Sequence, residues 1–107
     1  MNREELLAFF DETTAKMRKT MEDKNSDYTD ESANAFANFT TVEMLGICQT
    51  EIGFLTRMTD KFKRIITFVN KGALKVKDES VEDTILDFAN YLILLAGYLR
   101  AKRLGDK

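Results

Sequence analysis

The stretch Asp78-Glu79-Ser80-Val81-Glu82-Asp83-Thr84-Ile85-Leu86-Asp87-Phe88-Ala89-Asn90-Tyr91 opens a strongly apolar helix with acids that its core does not need. Ser80 and Asp83 have the spacing of a capping pair. Val81, Ile85, Phe88, Leu92, Leu95 and Leu99 then recur in steps of 4-3-4-3-4, which a helix gathers onto one face, until Leu104-Gly105 ends it. At about 100° per residue, Glu79, Asp83 and Asp87 share one flank, with Asn90 close to the same line. On the preceding helical segment Arg57, Asp60, Lys61 and Arg64 also recur at helical spacing, placing cations opposite or beside those carboxylates. Acids and arginines between packed helices suit a nucleotide phosphate, with or without a divalent metal.

Working outward, the chain of 107 residues has no proline, five glycines and apolar spacings of three and four throughout. This pattern predicts an all-α protein without strands. The first helix is expected to start at Asn2, which has capping-box spacing to Glu5, and to run to about Asp23 with Leu6, Phe10, Thr13, Met17 and Met21 facing inward. Lys24 to Asp30 interrupts the pattern. A short helical turn over Glu31 to Phe39 is expected next. Thr40 and Glu43, again at capping-box spacing, open a second long helix that reaches Asn70 and stops at Gly72, where a left-handed cap is cheap for glycine. The expected architecture is an antiparallel bundle of three long helices plus a short one.

Two apolar seams run along the second long helix, one through Leu45, Cys48, Ile52, Leu55, Phe62, Ile66 and Val69, the other through Ile47, Phe54, Met58, Ile65 and Phe68. A surface helix in a small monomer needs one seam. The second implies that the helix is sandwiched, either between the first and third helices or against another copy of the chain, and a homo-oligomer is the expected assembly. A third side reads Gly46, Gly53, Arg57, Asp60, Arg64, where two positions without side chains form a candidate recess for a base or ribose above a phosphate clamp.

Composition narrows the chemistry. With no His and the single Cys48, zinc sites of the usual kind, imidazole bases and an intrachain disulfide are excluded. Any metal is a hard ion held by oxygen, such as magnesium. A net charge of -2 argues against sequence-independent binding of duplex nucleic acid or of an anionic membrane. No apolar run approaches the ~20 residues of a membrane span, and Met1-Asn2-Arg3-Glu4-Glu5 lacks the layout of a signal peptide. The expected location is therefore the cytoplasm, and a single domain over 1–107 is expected.

Lys24-Asn25-Ser26-Asp27-Tyr28, Ala37-Asn38-Phe39, Arg57 with Asp60-Lys61 and Arg64, and Glu79-Ser80-Val81-Glu82-Asp83-Thr84 with Asp87 and Ala89-Asn90-Tyr91 together resemble the nucleotide modification associated domain 1 family. That family is common in bacteriophages and is similar to the MazG-like all-α nucleoside triphosphate pyrophosphohydrolases. The resemblance covers about residues 24 to 98 and is most specific in its last segment. It implies nucleotide binding at Lys24, Asp27, Tyr28, Asn38, Phe39, Arg57, Lys61, Arg64, Asn90 and Tyr91, with the segment from Lys24 to Phe39 closing over the pocket. If a metal is held, it implies magnesium ligands at Glu79, Glu82, Asp83 and Asp87. The MazG-like enzymes use acids from two helices, whereas for the first motif this chain offers only isolated Asp27, Glu31, Glu43 and Glu51, so its one acidic helix supplies about half of the carboxylate cage that two-metal chemistry requires. Either a neighbouring subunit completes the cage, or the site binds a nucleotide without cutting it. No catalytic residue is assigned.

Each signal has a plainer reading. Acids in a first turn stabilise the helix dipole; Arg57, Asp60, Lys61 and Arg64 form a solvated face laced by ion pairs; Tyr28, Phe36 and Phe39 pin a loop to the bundle rather than stack on a base. Gly46 and Gly53 permit close helix crossing, Cys48 is a small core residue, and Arg100, Lys102, Arg103 and Lys107 offset a dipole. Three functional classes follow: a phage-type anti-defence protein that sequesters a host signalling nucleotide, a magnesium-dependent pyrophosphohydrolase, and a structural or adaptor oligomer.

Overall fold

The computed structural model describes residues 1–28, 35–72 and 80–105, with side chains described outside 25–28. These residues form α1 (Arg3–Tyr28), α2 (Ala37–Met44), α3 (Thr50–Lys71) and α4 (Val81–Arg103), and no strand occurs among them. None of the helices is long and apolar enough to cross a membrane. The all-α bundle read from the periodicity is the observed fold.

Local sequence accounts for most of the helix ends. Asn2 Oδ1 accepts the backbone N–H of Glu5 at 2.9 Å, and Ser80 Oγ accepts that of Asp83 at 3.0 Å, so both expected caps form. α1 continues five residues beyond the predicted end at Asp23, to Tyr28. Polar residues do not stop a helix in the absence of Gly or Pro, and the i, i+4 pairs Arg18–Glu22 and Lys19–Asp23 support its last turns.

The long second helix predicted from Thr40 to Asn70 is instead two helices, α2 and α3, joined by a turn over 45–49. Gly46 adopts φ +74°, its N–H returns to Glu43 O at 3.0 Å, and the N–H of Ile47 returns to Val42 O at 2.9 Å. These two bonds make a Schellman closure, which needs a left-handed residue and so selects glycine. Glu43 does not cap a helix starting at Thr40. Its Oε1 accepts the N–H of Thr50 at 2.9 Å and so caps α3 across the turn. Gly53 lies where α2 crosses α3, and a Cβ there would sit 3.0 Å from Val42 Cγ2. The expected glycine recess is therefore absent, because Gly46 is outside the helix and Val42 occupies the space over Gly53.

α3 and α4 form an antiparallel layer, aligned by Phe62 against Phe88 (ring centroids 5.6 Å apart) and by Lys102 Nζ on Glu51 Oε2 at 2.6 Å. Phe54 is fully buried on this layer, stacked 4.3 Å from Phe39 of α2, with Met58 beside it and Phe36, Tyr91, Leu94, Leu95 and Tyr98 packed around them. α1 meets α4 through Lys16–Asp83, Lys24–Asp87 and the Asn90 side chain. On the helical period, Gly53, Asp83, Asp87 and Asn90 all face the same side of the α3–α4 layer, so α1 and α2 cover one side together.

This arrangement decides between the two seams. Phe54 and Met58 of the second seam are buried, Ile65 and Phe68 half-buried and Ile47, in the turn before α3, exposed, whereas Ile52, Leu55, Phe62, Ile66 and Val69 of the first are exposed, Phe62 by 52%. The first helix does not sandwich α3, because it packs on α4. Leu6 and Phe10, expected to face inward, are exposed as well.

Phe54→Ala removes the ring on which the aromatic cluster is stacked, and a cost of about 3–5 kcal/mol is expected for a fully buried Phe. Chemical denaturation monitored by helicity measures it; a loss under about 1 kcal/mol would contradict this packing.

Candidate functional site

A cavity of about 310 Å³ opens between all four helices, lined by Met21 and Lys24 of α1, Asn38 and Phe39 of α2, Arg57 of α3, and Asp87, Asn90, Tyr91 and Leu94 of α4. The helical period places the contributions of α4: Asp87, Asn90, Tyr91 and Leu94 fall at spacings of three and four, so they form one stripe. Arg57 follows Phe54 by three residues, which sets its stem beside the aromatic core.

Asp87 sits at the centre of the charge pattern. Its Oδ1 is 3.4 Å from Lys24 Nζ and its Oδ2 is 3.3 Å from Lys61 Nζ, so one carboxylate ties α1 and α3 to α4. Lys61 and Asp87 have only 18% and 19% of their side-chain surface exposed. A half-buried pair of this kind is expensive to break from one end, because the remaining charge stays desolvated. Arg57 is held differently. Its guanidinium carbon lies 4.7 Å from the centroid of the Phe39 ring, a cation–π contact, and among the described residues no carboxylate pairs with it. A guanidinium carries five donors, and among the described residues no carboxylate takes them up.

The two asparagines supply the polar remainder. Asn90 is 8% exposed; its Nδ2 donates to the Met17 carbonyl at 3.2 Å, while its Oδ1 is buried without a donor. Asn38 of α2 is half-buried and also lines the cavity. The Phe39 ring is stacked on Phe54, touched edge-on by Tyr91 (6.1 Å) and overlain by Arg57. Phe39 is therefore a platform for the guanidinium rather than an open surface, and among the described residues the half-buried Tyr91 is the other ring that lines the cavity. Phe36 lies in the core against Tyr98 and Gly97.

Of the residues marked from the sequence, the structure gathers Lys24, Asn38, Phe39, Arg57, Asp87, Asn90 and Tyr91 around this cavity, and brings Lys61 to it through Asp87. Arg64 does not line it; its Nε is 3.5 Å from Asp60 Oδ2, one turn earlier on the same helix. Asp83 is not at the cavity either, being bound to Lys16 at 3.2 Å, and Glu82 is exposed about 100° round the helix from it. Glu79 lies outside the described residues, as do Glu31 and the side chains of Asp27 and Tyr28. Met21, Leu94 and Lys16 were not marked as site residues, although each lies at helical spacing from one that was: Met21 from Lys24, Leu94 from Asn90, and Lys16 from Lys24.

No family model, curated protein or solved structure matches the chain.

The described acids do not fit a magnesium cage. Among the described residues no three Asp, Glu or Cys side chains come together to hold an ion, and Asp83 and Asp87 each already face lysine ammonium groups. The Asp83 carboxyl is held below its ordinary value of 3.8, chiefly by the hydrogen bond from Lys16 and then by that from Ser80. Because the folded-state value is the lower one, the stabilisation is present above the unfolded value and disappears as pH falls through the folded one. A carboxyl-carbon NMR titration is expected to place the Asp83 midpoint below 3.8, and Lys16→Ala is expected to return it towards that value. An unchanged midpoint in the variant would contradict the contact.

Proposed function

We propose that the chain is a nucleotide-binding protein that holds its ligand in the four-helix cavity without cleaving it. The observation behind this reading is the Arg57 guanidinium, with which no carboxylate of the described residues pairs, at a recess that also contains Lys24, Asn38, Asn90 and Tyr91. Arg57 suits bidentate contact with a phosphate, Asn38 offers both a donor and an acceptor to a base edge, and Tyr91 offers a ring for stacking. At about 310 Å³ the cavity falls at the small end of the range for ligand sites, the room needed by one nucleotide unit.

Binding is favoured over hydrolysis by the state of the acids. In the pyrophosphohydrolase reading Asp83 and Asp87 converge on a metal; here one is spent on Lys16 and the other on Lys24 and Lys61. Together with the resemblance to a phage-type family, this supports a specific version: sequestration of a host signalling nucleotide in the cytoplasm by a homo-oligomer, as an anti-defence function.

Isothermal titration with linear, cyclic and ADP-ribose-type nucleotides in chelator, followed by chromatography of the ligand recovered from denatured protein, tests the proposal. Binding without metal and recovery of intact nucleotide are expected. Arg57→Ala is expected to weaken binding by about 2 kcal/mol, roughly 30-fold, as for a lost charge-assisted hydrogen bond, and Arg64→Ala to change it by less than about 0.5 kcal/mol. No binding across the panel, or release of monophosphate, would contradict it.

A further inference from the structure

Among the described residues, the α3–α4 layer is covered on one side only. On its other side Ile52, Leu55, Thr59, Phe62, Ile66 and Val69 of α3 follow one another at 3-4-3-4-3 spacing, and Ile85, Ala89, Leu92, Ala96 and Leu99 of α4 at 4-3-4-3. Both stripes are free of charge along their length. Since the two helices run antiparallel and touch through Phe62 and Phe88, the helical period turns both stripes to the same face, opposite Asp87, Asn90 and Gly53. Most large side chains in this face are about half exposed, including Leu55 at 48%, Phe62 at 52% and Leu92 at 47%, and Val69 is exposed further.

We infer that this face is the contact between two copies of the chain. The spacing is that of helices meeting other helices side by side, and three features select a second copy as the occupant. First, the fully formed apolar core among the described residues is small, resting on Phe39, Phe54 and Met58. The burial missing from a single chain is needed whenever the chain is folded, which requires a partner present in equal amount. Second, the two stripes are complementary in bulk: α3 is large at almost every position, while α4 alternates Ile, Ala, Leu, Ala, Leu. A two-fold axis lying in the face and running along the helices sets each α3 stripe on the other copy's α4 stripe, filling the alanine gaps with α3 side chains. Third, two helices about 30 Å long and 10 Å wide present roughly 600 Å² per copy, about 1,200 Å² in all, which reaches the size of stable interfaces.

The inference is independent of the nucleotide reading, since the cavity lies on the other side of the layer and stays open in such a pair. Thr59 and Ala96 make it testable, because both are exposed in the single chain. Lysine at either position is harmless to an isolated helix surface, but in the pair it buries a charge near its own symmetry mate. Sedimentation equilibrium of the full chain between about 1 µM and about 100 µM, with melting temperature followed over the same range, is the measurement. The expected mass is twice 12.3 kDa or a higher even multiple, with melting temperature rising with concentration. Thr59→Lys and Ala96→Lys are expected to weaken self-association roughly 100-fold or more, whether the separated chains stay helical or unfold. Thr56→Lys, on the same helix but outside the stripe, is expected to leave the mass unchanged. A mass of 12.3 kDa at all concentrations overturns the inference; so does an assembly that ignores Thr59→Lys, or one that Thr56→Lys disrupts equally.

Discussion

Asp87 is shared between Lys24 of α1 and Lys61 of α3, and this three-way contact sets the geometry on which the site depends. Apolar packing brings α3 and α4 together along most of their length, but non-directional burial does not by itself choose where α1 ends up. The carboxylate does so, with help from Asn90 on the Met17 carbonyl and Asp83 on Lys16. The result is a helix that leans on α4 at a polar line and leaves a gap between itself, α2 and the aromatic core. The cavity occupies that gap. A fully apolar stripe at the same positions would have drawn α1 into close packing and closed it.

The same choice explains the lopsided burial. α1 and α2 both sit on the side of the layer that carries polar anchors, and the purely apolar stripes of α3 and α4 are left to the other side. A single chain thus covers the face that needs directional contacts and leaves bare the face that any matching apolar surface could cover.

Period and capping chemistry made much of this legible in the sequence. Ser80 with Asp83, Asn2 with Glu5 and the glycine stop after Lys71 are local signals, and each acts where the residues stand. That Asp87 and Asn90 lie close to one line on α4 follows from 3.6 residues per turn, and Arg57 was legible as a cation near it. What was not legible depends on contacts across the fold. Glu43 has the spacing to cap its own helix yet caps the next one, because Gly46 turns the chain back between them. Gly53 looks like an open position until Val42 is known to fill it. Which of two equal apolar seams is buried depends on where α1 and α2 dock, and periodicity carries no information about that. Arg57 and Arg64 likewise read as equivalent cations seven residues apart; the Phe39 ring under one and Asp60 beside the other distinguish them in the fold.

The central claim is that a nucleotide occupies the space in front of Arg57. NMR of the side-chain amides of Asn38 and Asn90 and of Arg57 Nε during titration with a nucleotide tests it most directly, since these groups line the cavity from three different helices. The expected result is saturable shifts at all three with one dissociation constant, while Arg64 Nε stays in place. Shifts at Arg64 with none at Arg57 and the two asparagines would contradict the account.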